Sequence, residues 1–502
     1  MTARTNTAAG RDLTTGPIGK TLLLFALPVM GSNILQSVNG SANAIWVSHV
    51  LGEAALTAIS NSNQIYFLML GAVFGMSMAA NIMIGQAVGA ADRALATRVV
   101  GTATLFFIAI SVVVGVAGFT LTPAILGGMG TPMDARPDAI AYLRVIFAAL
   151  PVLYFFAFMM MAQRGAGDSR TPFLFSLGAV GLEVTLNPLL IMGVGPLPRL
   201  DIVGSATATL IAQTTALTVM LVHLYRKKSL LVLTPAEWRT FRPDFTVVRT
   251  LVFKGTPMAF QMMVVSLAAV TMMSLVNGYG SQTAAAYGAA VQVWTYVQMP
   301  AMALGAAVSS MAAQNVGAGR MDRVDKIARV GVLYAFLFSA GPIALIYWLD
   351  PIILKAFLPA GSPSLPIAVH INAVVLWGFV PFGVAFIFNG LVRATGAVWP
   401  PLLAMVIALW VVRIPLANAL TPMLGADAIW VSFPAGSVVM VLLAGGYYLW
   451  GGWRTAKMLP TATPHGEALD TGMGPPAGLE ETEAAADALS RTTASGPRRS
   501  GS

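Results

Sequence analysis

Apolar runs long enough to cross a bilayer recur from one end of this chain almost to the other, broken only by short polar turns. Twelve can be read, at about 21–45, 56–84, 99–122, 139–162, 172–193, 203–224, 256–277, 284–311, 330–349, 367–391, 401–421 and 428–450. Lipid offers the backbone no hydrogen-bond partners, so each run must satisfy its own and be a helix. Composition agrees. Of 502 residues 57% are hydrophobic and 10% charged, where a soluble domain carries about 25% charged, and mean hydropathy is +0.76. The expectation is an all-α integral membrane protein of twelve spans. The first span is too long for a cleaved leader and should remain as an anchor.

The chain also repeats itself. Gly85-Gln86-Ala87-Val88-Gly89-Ala90 returns as Ala313-Gln314-Asn315-Val316-Gly317-Ala318, and each copy is followed by a Val-Gly pair, Val100-Gly101 and Val330-Gly331. Pro28 matches Pro257, Gln64 matches Gln292, Arg164 matches Arg393 and Pro172 matches Pro401, all at a similar offset. Such a repeat predicts two similar six-helix lobes, 21–225 and 256–455, joined by a polar linker at 226–255. An even number of spans per lobe puts their pseudo-twofold axis along the membrane normal. Residues 1–20 form a polar leader, and 456–502, rich in Gly, Pro, Ala, Thr, Ser and Glu, read as a disordered tail.

The net charge of +9 is an orientation signal rather than a nucleic-acid footprint. With both termini on one side, that side receives Arg93, Arg98, Arg164, Arg170, Arg226, Lys227, Lys228, Arg249, Lys254, Arg320, Arg323, Arg393 and more. The other receives Arg136, Arg144, Arg199 and Lys355. Both termini should therefore be cytoplasmic. Zero cysteines rule out disulfides and thiolate chemistry, and the four histidines have no metal spacing. Gly16-Pro17-Ile18-Gly19-Lys20-Thr21 resembles the end of a phosphate loop but has Thr14 where the first glycine is needed. Without a nucleotide site, transport would draw on an ion gradient or on the cargo's own gradient.

Polar groups inside spans are costly and mark cavities, ion sites or helix contacts. Asn33, Gln36, Asn39 and Asn43 share one face of the first span, more amides than one packing contact needs. Glu183 reads as the one acid well inside a span, with Asn187 one turn on. Pro188 then frees the Val184 carbonyl, and Ser205, Thr209 and Gln213 line a face of the next span. A carboxyl group at that depth, with amide and carbonyl oxygens beside it, suits proton or cation binding. Arg413 is the one cation placed inside a span, with a structural role favoured over a cleft-lining one. Methionine, 27 residues, offers a surface that adapts to differently shaped apolar ligands. Gly71-x-x-x-Gly75 marks close helix packing.

Several of these stretches resemble the multidrug and toxic compound extrusion (MATE) family over about residues 20–455. They are Leu27-Pro28, Leu51-Gly52-Glu53-Ala54-Ala55-Leu56, the two Gln-x-x-Gly-Ala turns and Asn187-Pro188-Leu189-Leu190. Arg413-Ile414-Pro415-Leu416-Ala417 and Ile429-Trp430-Val431-Ser432-Phe433-Pro434 add to them. The resemblance implies a twelve-helix secondary antiporter, two lobes in a V around a cleft, exporting organic cations against protons or sodium. The family's cation site usually has an aspartate late in the first span and an Asn/Asp pair four apart on the fifth. Carried over, these fall on Asn43 and on Glu183 with Asn187, with Ser205 adjacent. The aspartate is thus an amide here, and the carboxylate has moved to the fifth helix.

The function expected is an ion-coupled antiporter, a monomer with a small-molecule substrate and a lipid surround, in a bacterial inner membrane, without cofactor or metal and not an enzyme. Glu183 is expected to carry the coupling ion, H+ rather than Na+, with Asn187, Asn43 and Ser205. Asn33, Gln36, Gln64, Gln261, Gln292 and Arg413 are candidates for the substrate cleft. A metabolite exporter or lipid-linked glycan flippase of the same superfamily is an alternative, though one intramembrane Arg and no thirteenth span disfavour the flippase. A membrane scaffold or sensor has only the tail to support it.

Overall fold

The computed structural model describes residues 11–51, 53–194, 198–234, 237–238, 241–358 and 361–458. The tail assigned to 456–502 lies almost entirely outside these residues, as does part of the linker.

Helices account for nearly all of the described chain, and no strand occurs among the described residues. The first six are α1 (Ile18–Leu51), α2 (Glu53–Gly89), α3 (Arg93–Gly128), α4 (Arg136–Gly165), α5 (Arg170–Met192) and α6 (Asp201–Arg226). The second six are α7 (Phe245–Asn277), α8 (Ser281–Gly317), α9 (Met321–Leu354), α10 (Ser364–Ala394), α11 (Trp399–Leu424) and α12 (Asp427–Trp450). Eleven of the twelve are long and apolar enough to span a bilayer; α8, equally long, is not among those eleven. At about 1.5 Å per residue, the 37 residues of α2 and of α8 outreach a hydrocarbon core about 30 Å thick.

Helix starts follow their caps. Asp92 accepts from Leu95 N at 2.8 Å to open α3, and Asp244 accepts from Thr246 N at 2.8 Å to open α7. The second cap begins α7 at Phe245, ahead of the start expected at 256, so Arg249 and Lys254 belong to a helix and not to the linker. Pro28 and Pro257 sit inside α1 and α7, and Pro188 inside α5. In α11, residues Ile407–Arg413 form a π-helical stretch, which the sequence reading did not anticipate.

Within the first lobe α2 packs on α4, α3 on α4, α5 on α6 and α1 on α5; in the second, α8 packs on α10 and α9, and α10 on α12. Between lobes α1 and α2 meet α7 and α8. This junction is concentrated at one end, where the two repeated turns cross. A Cβ on Gly89 would strike the Gln314 backbone, and a Cβ on Gly317 would strike the Gln86 backbone. The side chains repeat the exchange: Gln86 Nε2 donates to Ala394 O at 2.7 Å, and Gln314 Nε2 to Gly165 O at 2.9 Å. Reciprocity of this kind is what a twofold axis requires of the surface it passes through. Close approach continues along α2, where Gly75 packs against Ala259 of α7, as the Gly71–Gly75 spacing predicts.

The cores tell the same story. One apolar cluster runs through the first lobe and across the junction into α8, α9 and α10. At the opposite end the second lobe has its own, built on Met272, Tyr287, Trp294 and Trp430. The lobes are fused at the Gly89/Gly317 end and separately packed at the other.

Candidate functional site

Three helices of the first lobe bring the expected polar residues together. Asn43 Oδ1, on α1, accepts from Asn187 Nδ2 of α5 at 2.9 Å and from Ser205 Oγ of α6 at 2.7 Å. One turn back on α5, Glu183 is 3% exposed and accepts from Thr209 Oγ1 of α6 at 2.8 Å, with Asn39 of α1 as a second partner. The spacing of four that puts Glu183 under Asn187 also puts Thr209 beneath Ser205, so two rungs span the same three helices. Two buried oxygens are left without partners, Glu183 Oε2 and Asn187 Oδ1.

Part of this network borders a cavity of about 230 Å3 within the first lobe; Asn187 and Ser205 are not among its lining residues. Gln36, Asn39, Asn43, Glu183, Thr209 and Gln213 line it. Two tyrosines absent from the sequence reading join them: Tyr66 from α2, and Tyr142 from α4 beside Asn43 and Ser205. An isolated tyrosine in an apolar run resembles any core aromatic, so the sequence held no signal for either. Phe74, Phe156 and Met160 supply an apolar wall. No group of three or more His, Cys, Asp or Glu able to hold a metal occurs among the described residues. One carboxylate with a free oxygen, next to a free amide oxygen, can take up a proton or offer oxygen ligands to a hard cation.

The other candidates lie elsewhere. Asn33 is half-buried and does not reach the cavity that its three helical neighbours line. Gln64 and Gln292 are exposed, and neither lines the cavity. Gln261 is buried, and its Oε1 accepts from Arg393 Nη1 at 3.0 Å. Arg413 ends the π-helical stretch with its guanidinium over the Phe433 ring, 3.1 Å from the centroid, in the aromatic cluster of the second lobe.

Asp350, expected at a span end, lies there near the C-terminal end of α9, 3% exposed, and accepts from Asn372 Nδ2 at 2.7 Å. One reading needs correction. Arg164 and Arg393, counted among loop charges, are buried in the last turns of α4 and α10. Arg164 lines the first-lobe cavity. The error comes from span ends set about one turn short.

A two-lobed, twofold-repeated helical bundle with a polar-floored cavity in one lobe is the build of a secondary transporter. The MatE family model matches residues 28–189 and again 257–418, one copy per lobe. The "Probable multidrug resistance protein YoeA" of Bacillus subtilis (strain 168) is 35% identical over 433 residues, covering 86% of this chain and 93% of its own. The "FAD transporter" of Shewanella oneidensis is 24% identical over 450 residues, 87% and 95% of the two chains. A solved structure described as the outward-facing conformation of a multidrug resistance MATE family transporter superposes with a TM-score of 0.81 at 19% identity, covering 89% and 98%. The chain belongs to the MATE family of multi-pass membrane transporters.

Proposed function

We propose that this transporter is an antiporter that exports cationic or amphipathic small molecules in exchange for protons, with Glu183 as the group that trades one for the other. The observation that carries this is the buried carboxylate with one unpartnered oxygen, set in a polar-floored and aromatic-walled cavity. Ionised, it attracts a cation; protonated, it releases one. Asn43, Asn187 and Ser205 form a hydrogen-bonded rung beside it that can rearrange with its charge. The names of the YoeA and NorM relatives, both multidrug resistance proteins, favour this cargo class. If the basic loops face the cytoplasm of a bacterial inner membrane, the fused end is the cytoplasmic one and the state is outward-facing. Sodium in place of the proton would use the same two free oxygens.

The test is efflux of a fluorescent cationic dye from cells lacking their main exporters, comparing wild type with Glu183→Gln at matched expression, with and without collapse of the proton gradient. Gradient-dependent efflux that the Gln variant loses supports the assignment. Equal pumping by both removes Glu183 from the mechanism. Transport of no dye by either would favour the second reading, a dedicated metabolite exporter. The relative named an FAD transporter and the cationic Arg164 in the cavity are the observations on that side.

A further inference from the structure

The cavity that holds Glu183 also holds a buried cation with nothing to neutralise it. Arg164 is 7% exposed, its Nε has no partner, and its Nη1 touches only the Met161 sulfur, 3.9 Å away. No acid lies within ion-pair distance of it among the described residues. Uncompensated charge this deep is expensive to keep, which directs attention to function. The C-terminal dipole of α4 offers it partial relief.

The repeat shows what a purely structural version looks like. In the second lobe the matching Arg393 is tied to the Gln261 side chain. At the offset that relates Arg393 to Arg164, the first lobe has Ser32 in place of Gln261, and Ser32 donates instead to its own helix at Pro28 O, 3.0 Å away. The tether is missing only in the lobe that carries the carboxylate. The helix of the second lobe that matches α5 has no acid between Ile407 and Leu416.

We propose that Arg164 sets the charge selectivity of the first-lobe cavity, acting as the fixed positive charge that makes it accept a cation only while Glu183 is ionised. With Glu183 ionised the pair sums to zero and the carboxylate is free to attract a cationic cargo. With Glu183 protonated the cavity is left with one positive charge, which drives the cation out. Release then needs no separate gate, because one proton converts attraction into repulsion. The other titratable groups facing the site are Tyr66 and Tyr142, neutral phenols over this range, and α1 and α6 contribute amides and hydroxyls there. This inference rests on the reading of Glu183 as the coupling group.

The experiment is equilibrium binding of rhodamine 6G, a permanent cation, to purified full-length transporter in detergent, by fluorescence anisotropy at pH 5.5 and 7.5. Wild type is expected to bind at least about tenfold more weakly at pH 5.5, the scale of one interaction between charges in a partly buried site. Arg164→Gln and Arg164→Met should still lose affinity at low pH, because Glu183 still titrates, but should bind more tightly than wild type and retain the dye at pH 5.5, and Arg164→Lys should restore the wild-type release. Glu183→Gln should bind weakly at both. Affinity at pH 5.5 as weak as wild type in Arg164→Gln or Arg164→Met overturns the proposal while leaving Glu183 intact. A wild-type response in Glu183→Gln instead brings down the reading beneath it. Arg164→Met removes the charge without leaving a cavity or an orphaned polar group, so failure of both neutral variants to fold would mark Arg164 as structural and also overturn the proposal.

Discussion

At the scale of single residues, the late position on α1 holds an amide, Asn43, and the carboxyl group stands on α5 as Glu183, one turn from the rung. The rung is built to accept a carboxyl group at position 43 as well. Asn187 and Ser205 both donate to Asn43 Oδ1, at 2.9 and 2.7 Å, so donors suited to a carboxylate already converge there. Asn43→Asp in the Glu183→Gln background is therefore expected to recover part of the gradient-driven efflux that Glu183→Gln loses, measured in the same dye assay. No recovery would mean that coupling depends on the depth of Glu183 and not merely on a carboxylate in the rung. Ser205→Ala removes one of those two donors; it should cost about 1 kcal/mol of stability, visible as a lower melting temperature.

Among elements, the repeated Gln-x-x-Gly-Ala turns explain themselves by where they meet. Each glycine lies against the other turn's backbone, so a methyl group at either position must force the lobes apart at the fused end. Overpacking costs of about 1–3 kcal/mol correspond to a roughly tenfold or larger shift between closed and open populations. Gly89→Ala and Gly317→Ala should each lengthen the distance between spin labels placed on opposite sides of the junction. The chain has no cysteine, so label pairs can be introduced without background. Gln86→Ala and Gln314→Ala, each removing one lobe-crossing bond, should move the distance the same way by less. The repeat, the helix count and the Glu183–Asn187–Ser205 cluster were legible because periodicity and spacing carry them. What was not legible lay within one helical turn of a boundary or depended on tertiary contact. Arg164 was placed outside its span, and nothing in the sequence distinguished Tyr142 beside Asn43 from an ordinary core tyrosine. Gln261 looked like Gln64, yet one is committed to Arg393 and the other is exposed.

Over the whole molecule, the fused end is held by more than the two turns. The segment before α1 is threaded between the lobes: Arg11 N donates to Gly167 O of the first at 3.2 Å, and Leu13 N to Gln314 Oε1 of the second at 3.1 Å. Leu13 is fully buried there, and Asn315 Nδ2 returns a bond to its carbonyl at 3.1 Å. Arg320 and Arg323 donate to the carbonyls of Thr14, Thr15 and Gly16 at 2.8, 3.0 and 2.7 Å. Asp12 folds the segment into this shape, accepting from Thr14 N, Thr14 Oγ1 and Thr15 Oγ1 at 2.8, 2.6 and 2.8 Å. A motion that parts the lobes at this end, with the segment kept on α1, must break its bonds to the second lobe. At about 1 kcal/mol net per bond, losing two or three of them shifts the equilibrium tenfold or more. Arg323→Ala should therefore raise the open fraction in the spin-label measurement, and Asp12→Ala should do so by undoing the turn. The pH dependence has a definite sign. Burial raises the Asp12 carboxyl, but the Thr14 and Thr15 hydrogen bonds and nearby Arg323 outweigh it and leave it below the usual carboxylate value of 3.8. A carboxylate lowered on folding contributes above that value and stops contributing as pH falls through its folded value. The Asp12 contribution should accordingly be constant from about pH 5 to 8 and lost only below about pH 4. A closed fraction that responded to Asp12→Ala only near neutral pH would mean that some other group fastens the segment.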